Sequence, residues 1–289
     1  MLPLTIGLLV LGLVAIGAGV TFLPGSPLAS GSRLNGGAEP TTPAVTTPPP
    51  PPPLPFRAAE VTVAAVNTKG FLSWALMDLR SGEIWGSPNM TSTTTTMSLI
   101  KAWLAADYLR THPQPTSGKL KDLELMIRDS NNASAERIYV ANGTRASVTR
   151  AIAMCGLTET RPAPSGKGFG YTIVSAQDAV RIAACIADGR AAGTGTERLL
   201  GWMRTIRLGN FGPAKALPVT EQASVALKNG WDIWHEDKTY RTNCMAFGET
   251  WAMAVMLQYP SSGSDDNDLA HNSQVCKDVA TLLRNPEVP

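Results

Sequence analysis

Three short polar motifs place nucleophilic and basic side chains in patterns that acyl-transfer chemistry uses. Ser98–Lys101 is an S-x-x-K sequence at the start of an apolar stretch with helical spacing. Ser130–Asn132 is an S-x-N sequence between two helical stretches, and Lys228–Gly230 is a K-x-G sequence at the end of a strand-like run. A hydroxyl, an amine that can serve as its base and a second cation are groups that activate a serine nucleophile.

The spacing of Ser98 and Lys101 favours cooperation between their side chains. Residues three apart on a helix share one face, so the lysine can reach the serine hydroxyl. Burial or a nearby cation lowers the pKa of a lysine, which then accepts a proton near neutral pH. The positive end of the helix also favours a developing anion. The motif therefore predicts that Lys101 removes a proton from Ser98.

The other two motifs supply groups that could face the same cleft. Ser130 and Asn132 lie in a tight connection that exposes a hydroxyl and an amide. Lys228 provides a cation, and Gly230 permits a close approach of the backbone to an extended acyl substrate. Short motifs also arise by chance, and Ser87–Asn89 is a second S-x-N without an evident role. The context of the three motifs favours the functional interpretation.

The elements that position these motifs follow the order strands, helices, strands, helix. Residues 71–79 and 84–85 predict a hairpin across the turn at 80–83. Helical spacing begins at Ser98 and recurs at residues 119–128, 133–141, 145–154, 175–188 and 196–207. Strand character returns at residues 224–227, 242–247 and 251–259, and an amphipathic stretch covers 268–283.

This order predicts an α+β fold. An antiparallel sheet assembled from both ends of the chain, with a helical subdomain inserted between them, is the economical arrangement. A cleft between the sheet and the helical subdomain is then the natural place for a site.

The first part of the chain has a different composition from the rest. Leu2–Leu23 carries no charge and, as a helix, would span about 33 Å, enough to cross a bilayer. Residues 1–23 are therefore predicted to be a membrane anchor, with a cleaved secretory signal as the alternative. Residues 24–57, rich in Pro, Ser and Thr, predict a disordered linker, and residues 58–289 predict the folded domain. No cysteine precedes Cys155, so a lipid anchor is not expected.

All four cysteines lie in the predicted domain. An even number of cysteines beyond a membrane anchor is typical of disulfides in an oxidising compartment, and buried free thiols are the alternative. Four cysteines allow three pairings. We expect Cys155–Cys185 and Cys244–Cys276, because each pair joins neighbouring elements of the predicted fold.

Composition and motif content argue against several other functions. The formal net charge is +2 and the 25 basic residues form no run, so no nucleic-acid surface is expected. The three histidines and four cysteines show no zinc-site spacing, and no phosphate-binding G-x-x-x-x-G-K-[ST] loop occurs. No metal site, nucleotide site or cofactor is expected.

At this level of detail, residues 60–285 resemble the penicillin-recognising serine enzymes, the class A β-lactamases and D-Ala-D-Ala peptidases. Beyond the three motifs, the resemblance is carried by Met126–Arg137, Met154–Arg161 and Tyr171–Asp178. It implies that Ser98 is the acylated nucleophile and Lys101 its base. It also implies that Ser130 relays a proton to the leaving group and that Asn132 binds the substrate amide.

The same resemblance assigns roles to residues near the third motif. Lys228 would be an electrostatic anchor, and Asn229 and Gly230 would lie against the substrate. The backbone N–H groups of Ser98 and Trp231 would form the oxyanion hole. Trp231, Trp234 and His235 could line the rim of the site, with a hairpin turn that carries partly exposed aromatics as the alternative. Arg241 could bind a substrate carboxylate from the neighbouring strand, with an ordinary surface arginine as the alternative.

Three features depart from the family pattern. Asn229 stands where the family usually has Thr or Ser, which removes a hydroxyl that contacts the substrate carboxylate. The segment from Ser98 to Ser130 is short, so the helical subdomain is expected to be reduced. Residues 162–170 contain no Asp or Glu that could activate a deacylating water, and Glu159, the nearest acid, is read as a turn residue. Fast hydrolysis of β-lactams is therefore not expected.

Two classes of function follow from these observations. The first is a membrane-tethered, extracytoplasmic serine acyltransferase or hydrolase that acts on peptidoglycan peptides or related amides and esters, with a true β-lactamase as a variant. The second is a binding module of the same fold, with an impaired site, that holds cell-wall material. Either would be secreted rather than tethered if the first segment were cleaved.

Overall fold

A computed structural model describes residues 51–62 and 64–288. The predicted membrane segment at residues 1–23 and most of the predicted linker lie outside these residues. Within them, no helix is long and apolar enough to cross a membrane.

A central antiparallel sheet is assembled from both ends of the described chain. Its strands are β1 (Phe71–Asp78), β2 (Ile84–Gly86), β5 (Ala226–Leu227), β6 (Gly230–Trp234), β7 (Thr239–Phe247) and β8 (Trp251–Pro260). The order is β2-β1-β8-β7-β5, and β6 also pairs with β7. Two short strands, β3 (Thr93–Thr95) and β4 (Ile173–Ser175), form a separate small sheet.

Helices occupy the middle and the end of the chain. They are α1 (Lys101–Thr111), α2 (Ser117–Arg128), α3 (Asn132–Ala141), α4 (Arg145–Cys155), α5 (Ala176–Ala187), α6 (Thr196–Arg204), α7 (Val219–Gln222) and α8 (Asp265–Leu282). A 3₁₀ turn, Met97–Ile100, leads directly into α1. The α+β fold with helices inserted between the two parts of the sheet confirms the sequence prediction.

The core lies between the sheet and the helices that cover it. Helix α5 packs against β1, β7 and β8, and α8 packs against β6, β7 and β8. Strand β8 is buried at seven successive positions, Trp251–Leu257, so both of its faces are covered. Alternate residues of a strand point to opposite faces, which explains why this strand is apolar throughout.

The strand that pairs with β7 on the side opposite β8 is interrupted. β5 and β6 pair with successive parts of β7, and Lys228 and Asn229 separate them. At this break, the Met245 N–H donates to the Asn229 side-chain oxygen, 3.1 Å away. The side chain thus satisfies a backbone group that the strand leaves without a ladder partner.

The domain begins earlier than the composition suggested. Leu54 and Phe56 are buried, at 9% and 1% exposure, although the composition predicts that they belong to the linker. The Arg57 N–H donates to the Leu283 carbonyl, and the Asn285 N–H donates to the Pro55 carbonyl. The boundary was misplaced because two apolar residues stand within a proline-rich context, and they pack beside the end of α8.

Two disulfides join elements of the domain. Cys155 at the end of α4 is bonded to Cys185 in α5, and Cys244 in β7 is bonded to Cys276 in α8. Their sequence separations are 30 and 32 residues. These are the pairs that the sequence predicts, and no cysteine in the described part of the chain is free.

We expect the disulfides to form in protein secreted through an oxidising compartment. Loops of this length correspond to about 3 to 4 kcal/mol each by the chain-entropy estimate. Non-reducing peptide mapping should recover the two linked peptides, and reduction should lower the thermal midpoint. Free thiols at all four positions in correctly folded, secreted protein would contradict the pairing.

Candidate active site

The first two sequence motifs contribute to a cavity of about 440 Å³, and the third contacts them through Lys228 and Gly230. Ser98 lies in the 3₁₀ turn before α1, Ser130 precedes α3, and Lys228 lies in the break between β5 and β6. Ser98 and Asn132 line the cavity. Lys101 and Lys228 lie behind its wall, at 0% and 1% exposure.

The backbone around the two serines is unusual. Met97 has φ +45° and Ser130 has φ +54°, a region that residues with side chains seldom adopt. Each such residue costs about 1 to 3 kcal/mol, so the surrounding structure must hold it in place. This geometry turns the chain sharply just before Ser98 and at Ser130 itself.

The Lys101 ammonium connects the first two motifs. Its Nζ donates to the Ser130 carbonyl oxygen at 2.5 Å, to Asn132 Oδ1 at 2.7 Å and to Ser130 Oγ at 3.3 Å. Burial lowers the pKa of Lys101 from 10.5 to about 7. The Phe169 ring, whose centroid is 5.3 Å from Nζ, contributes to that burial.

Lys228 reaches the same serine from the other side. Its Nζ donates to Ser130 Oγ at 3.0 Å and to the Asn229 carbonyl at 3.0 Å. Burial, and then the nearby charge of Lys101, lower the pKa of Lys228 well below its usual value. Two like charges beside one hydroxyl oppose each other, so full protonation of both amines is disfavoured.

The Ser130 hydroxyl retains an O–H that can donate a hydrogen bond. A hydroxyl has two acceptor lone pairs and one O–H donor. Both amines donate to Ser130 Oγ, so its two acceptor lone pairs are used and its O–H is left as a donor.

Ser98 does not bond to its expected base in this structure. Within the part of the chain that the structure describes, its hydroxyl makes no hydrogen bond, and the three acceptors of Lys101 are Ser130 and Asn132 atoms. Catalytic hydrogen bonds are often long or unformed before a substrate binds. The expected Ser98–Lys101 pairing therefore stays a prediction.

Gly230 brings β6 against the 3₁₀ turn that carries Ser98. A Cβ added there would lie 2.6 Å from Ser98 N, Leu99 N and Thr96 O, far inside contact distance. Only glycine allows this approach. It sets the backbone of β6, and hence Trp231, beside Ser98. Trp231 lines the cavity and packs edge-on against Phe211.

Asn229 points away from the cavity. Its Nδ2 donates to the carbonyls of Gly209 and Phe211, both at 2.8 Å, and its Oδ1 accepts from Met245 N. Both N–H groups of the amide are therefore used by the backbone. The structure gives Asn229 a role in holding the strand break rather than the substrate contact that the resemblance implied.

Arg241 is also engaged within the protein. Its guanidinium donates to Thr95 Oγ1 at 3.1 Å, pairs with Asp237, and lies 4.4 Å from the ring centroid of Trp234. The residue is only 12% exposed as a side chain. Its groups join β7 to the small sheet, so the structure does not place it as a free carboxylate receptor.

Asp178, which does not line the cavity, holds the start of the loop that leads to the cavity wall. Asp178 accepts from the backbone N–H groups of Thr158, Glu159 and Thr160, at 3.0, 2.8 and 2.7 Å. Burial acts to raise the pKa of Asp178, but these hydrogen bonds lower it below its usual value. Glu159 thus belongs to a turn, as expected, and it does not line the cavity.

Several residues of the cavity were missed by the sequence reading. They are Met97, Ala133, Glu136, Gly168, Phe169, Gly170, Tyr171 and Asp232. Glu136 lies one helical turn after Asn132, a spacing that could have identified it. Asp232 follows Gly230 by two residues, which indicates the same strand face, but this segment was interpreted as a turn rather than as β6.

Within residues 51–62 and 64–288, no group of three or more His, Cys, Asp or Glu side chains is arranged to hold an ion.

Comparison with solved structures identifies the fold. A β-lactamase from Xanthomonas campestris aligns with a TM-score of 0.58 and 16% identity, covering 76% of this chain and 94% of that one. A class A β-lactamase from Mycobacterium abscessus aligns with a TM-score of 0.57 and 12% identity, covering 75% and 96%. The chain therefore has the fold of the penicillin-recognising serine enzymes, which confirms the resemblance at the level of structure.

Sequence comparison gives a more limited result. A Mycobacterium tuberculosis protein named "Putative lipoprotein LppW" is 29% identical over 157 residues, and a Mycobacterium bovis protein of the same name matches equally. The match covers 52% of this chain and 48% of the relative, so the chain matches about half the length of these relatives. No protein-family model matches the sequence.

Proposed function

We propose that the protein is a serine acyl-enzyme that transfers or hydrolyses acyl groups of amides or esters. The observation that carries this proposal is the convergence of two buried amines on the Ser130 hydroxyl beside Ser98. A buried lysine with a pKa of about 7 is suited to general-base catalysis near neutral pH.

The proposed first step is attack by Ser98 on the substrate carbonyl. The three hydrogen bonds of Lys101 match its ammonium form, which has three donors. The neutral amine has only two N–H groups and a lone pair, so one contact is released. That lone pair can then take the Ser98 proton as the Oγ–carbon bond forms.

Collapse of the tetrahedral intermediate requires a proton for the leaving group. Ser130 can donate its free hydrogen to the leaving nitrogen or oxygen, and Lys101, now protonated, restores it through the contact at 3.3 Å. The bond between the carbonyl carbon and the leaving atom breaks, and the acyl group stays on Ser98. Lys228 holds Ser130 Oγ during this transfer.

The negative oxygen of the intermediate needs hydrogen-bond donors. We place the backbone N–H groups of Ser98 and Trp231 in this role, as the family resemblance implies. The close approach of Gly230 to Ser98 N supports this, because it brings the two backbone segments together.

Hydrolysis of the acyl-enzyme is the step that the site is least suited to catalyse. The loop between Arg161 and Tyr171 has no carboxylate, and it places the Phe169 ring beside Lys101. We therefore favour transfer to an acceptor or slow hydrolysis over β-lactamase activity.

The proposed setting is the outer side of a membrane, with peptidoglycan peptides or related amides as substrates. Two disulfides and the apolar segment Leu2–Leu23 support an extracytoplasmic, tethered protein. The name of the mycobacterial relatives, a lipoprotein, also supports membrane association.

A binding module of the same fold is the second candidate. It is favoured by the free Ser98 hydroxyl, which lacks a hydrogen bond to Lys101 within the described structure, and by the absence of a carboxylate in the loop. Such a module would hold cell-wall material without forming a covalent intermediate.

Covalent labelling separates the two candidates. We expect an uncharged fluorophosphonate probe to label the wild-type protein and not Ser98→Ala, because only an activated hydroxyl reacts with it. Peptide mapping should place the adduct on Ser98. Lack of labelling by this probe and by a fluorescent penicillin would favour the binding module.

Two lysine variants provide the matched control. Lys101→Ala should lower the labelling rate by at least about a hundredfold, the scale of a general base, with the circular dichroism spectrum retained. Lys277→Ala, at an exposed position of α8, should label as the wild type does. Normal labelling of Lys101→Ala would remove Lys101 from the mechanism.

A penicillin adduct, once formed, should persist. The physical reason is that the loop at residues 162–170 supplies no carboxylate to activate a deacylating water. The acids that do line the cavity, Glu136 and Asp232, are exposed side chains of α3 and β6. At a penicillin concentration high enough to acylate Ser98, intact-mass spectrometry should show the adduct for many minutes after removal of free drug. Rapid return to the unmodified mass, with penicillin consumed, would instead identify a β-lactamase.

A further inference from the structure

One segment of the chain, residues 205–212, contacts the neighbours of both Ser130 and Lys228. It follows α6 and leads into a 3₁₀ turn at Pro213–Ala216. Among the described residues that line the cavity, none belongs to this segment. Its contacts therefore act on the site through other residues.

The backbone of the 205–212 segment is bonded to the residue that ends α2. The N–H groups of Arg207 and Leu208 both donate to the Arg128 carbonyl, at 2.8 and 2.9 Å. In return, Arg128 Nε donates to the Thr205 carbonyl at 3.0 Å. The last carbonyls of a helix have no partner within it, so the segment satisfies one of them and fixes the end of α2.

An ion pair extends this contact to the residue before Ser130. Arg207 Nε donates to Asp129 Oδ1 at 2.5 Å, and its Nη2 donates to Oδ2 of the same carboxylate. Two parallel N–H···O bonds fix the orientation of the two groups as well as their distance. The hydrogen bonding from Arg207 lowers the pKa of Asp129 below its usual value, so the carboxylate is charged at neutral pH.

The other end of the segment is bonded to the residue that follows Lys228. Asn229 Nδ2 donates to the carbonyls of Gly209 and Phe211, both at 2.8 Å. Gly209 has φ +83°, and a Cβ there would lie 2.6 Å from the Trp231 ring, so glycine is required for this close approach. Phe211 packs against the same ring, with 5.4 Å between the centroids. Residues 209–211 are thus fixed against the β5–β6 break.

The relative position of these two elements sets the contact between Ser130 and Lys228. Ser130 Oγ lies 3.0 Å from Lys228 Nζ, and Ser130 itself has φ +54°. A residue in this left-handed region keeps its conformation only where the surrounding structure holds it. The 205–212 segment bonds to the α2–α3 connection on one side and to the β5–β6 break on the other.

We propose that the 205–212 segment positions Ser130 against Lys228, and that Arg207 and Asp129 are positioning residues for proton transfer to the leaving group. This inference rests on the proposed acylation of Ser98, in which Ser130 supplies that proton. The Arg207 and Asp129 side chains are 43% and 31% exposed. Exposed ion pairs contribute little to stability, so substitutions at these two positions should leave the fold intact.

Two esters of phenylacetic acid separate this role from a general effect on the fold. With either ester, Ser98 Oγ bonds to the carbonyl carbon, the carbon–oxygen bond to the leaving group breaks, and the Ser98 proton passes to Lys101. The methyl ester releases a strongly basic oxygen that requires a proton from Ser130. The 4-nitrophenyl ester releases a weakly basic phenolate that leaves without one.

With enzyme in excess, chromatography follows the loss of each ester, which measures acylation whether or not the acyl-enzyme persists. We expect Arg207→Gln and Asp129→Asn each to slow the methyl ester at least about fivefold more than the 4-nitrophenyl ester, because misplacement of a proton donor slows the step that uses it. The double variant should lose no more than either single variant, because the pair acts as a unit. Arg207→Lys, which keeps the charge but not the parallel bonds, should lie between the wild type and Arg207→Gln.

Arg190→Gln is the matched control, since Arg190 also pairs with an exposed aspartate, Asp188, at the end of α5. It should retain the wild-type ratio of the two acylation rates. An unchanged ratio in Arg207→Gln or Asp129→Asn, or an equal loss with both esters, would overturn the inference while leaving the acyl-enzyme proposal in place. Reaction of the wild type with the 4-nitrophenyl ester alone would do the same, because Ser130 would then protonate no leaving group. No Ser98-dependent loss of either ester would overturn both.

Discussion

The site depends on the burial of two amines around one hydroxyl. Lys101 and Lys228 both donate to Ser130 Oγ, and neither is exposed to solvent. Burying an ammonium is costly unless its pKa falls or it is hydrogen-bonded. Here the pKa of both lysines falls, Lys101 makes three hydrogen bonds and Lys228 makes two. The fold must therefore bring α1, the α2–α3 connection and the β5–β6 break to one point and exclude water from it.

Local backbone geometry makes this convergence possible. The left-handed conformations at Met97 and Ser130 aim the two serines, and Gly230 lets β6 approach within contact of the Ser98 amide. At the strand break, the Asn229 side chain bonds to the backbone of Met245 and Gly209, and these bonds hold the neighbouring Lys228 in position. A residue that the family pattern suggested as a substrate ligand thus supports the position of the cation beside it.

The sequence predicted more of the fold than of the cavity's chemistry. Apolar periodicity located most helices, the first hairpin and the last strands, because those elements bury one continuous face. It missed β6, whose aromatic and charged residues line a cavity rather than a core. Residue type suggested Asn229 and Arg241 as ligands, but only tertiary hydrogen bonds show that both are already engaged. Glu136 and Asp232 carry no motif, so their place emerged only from the packing.

The most direct test is the pKa of Lys101, measured by NMR titration of lysine side chains labelled with ¹³C and assigned with Lys101→Met and Lys228→Met. Burial should make the folded protein release this proton at about pH 7, whereas the unfolded chain holds it to about 10.5. The unfolded state then binds more protons between these values, so the contribution of Lys101 to the free energy of unfolding rises with pH across that window. A midpoint near 7 is the predicted result. A midpoint near 10.5 would contradict the account, because Lys101 would then be an ammonium at neutral pH and could not accept the Ser98 proton.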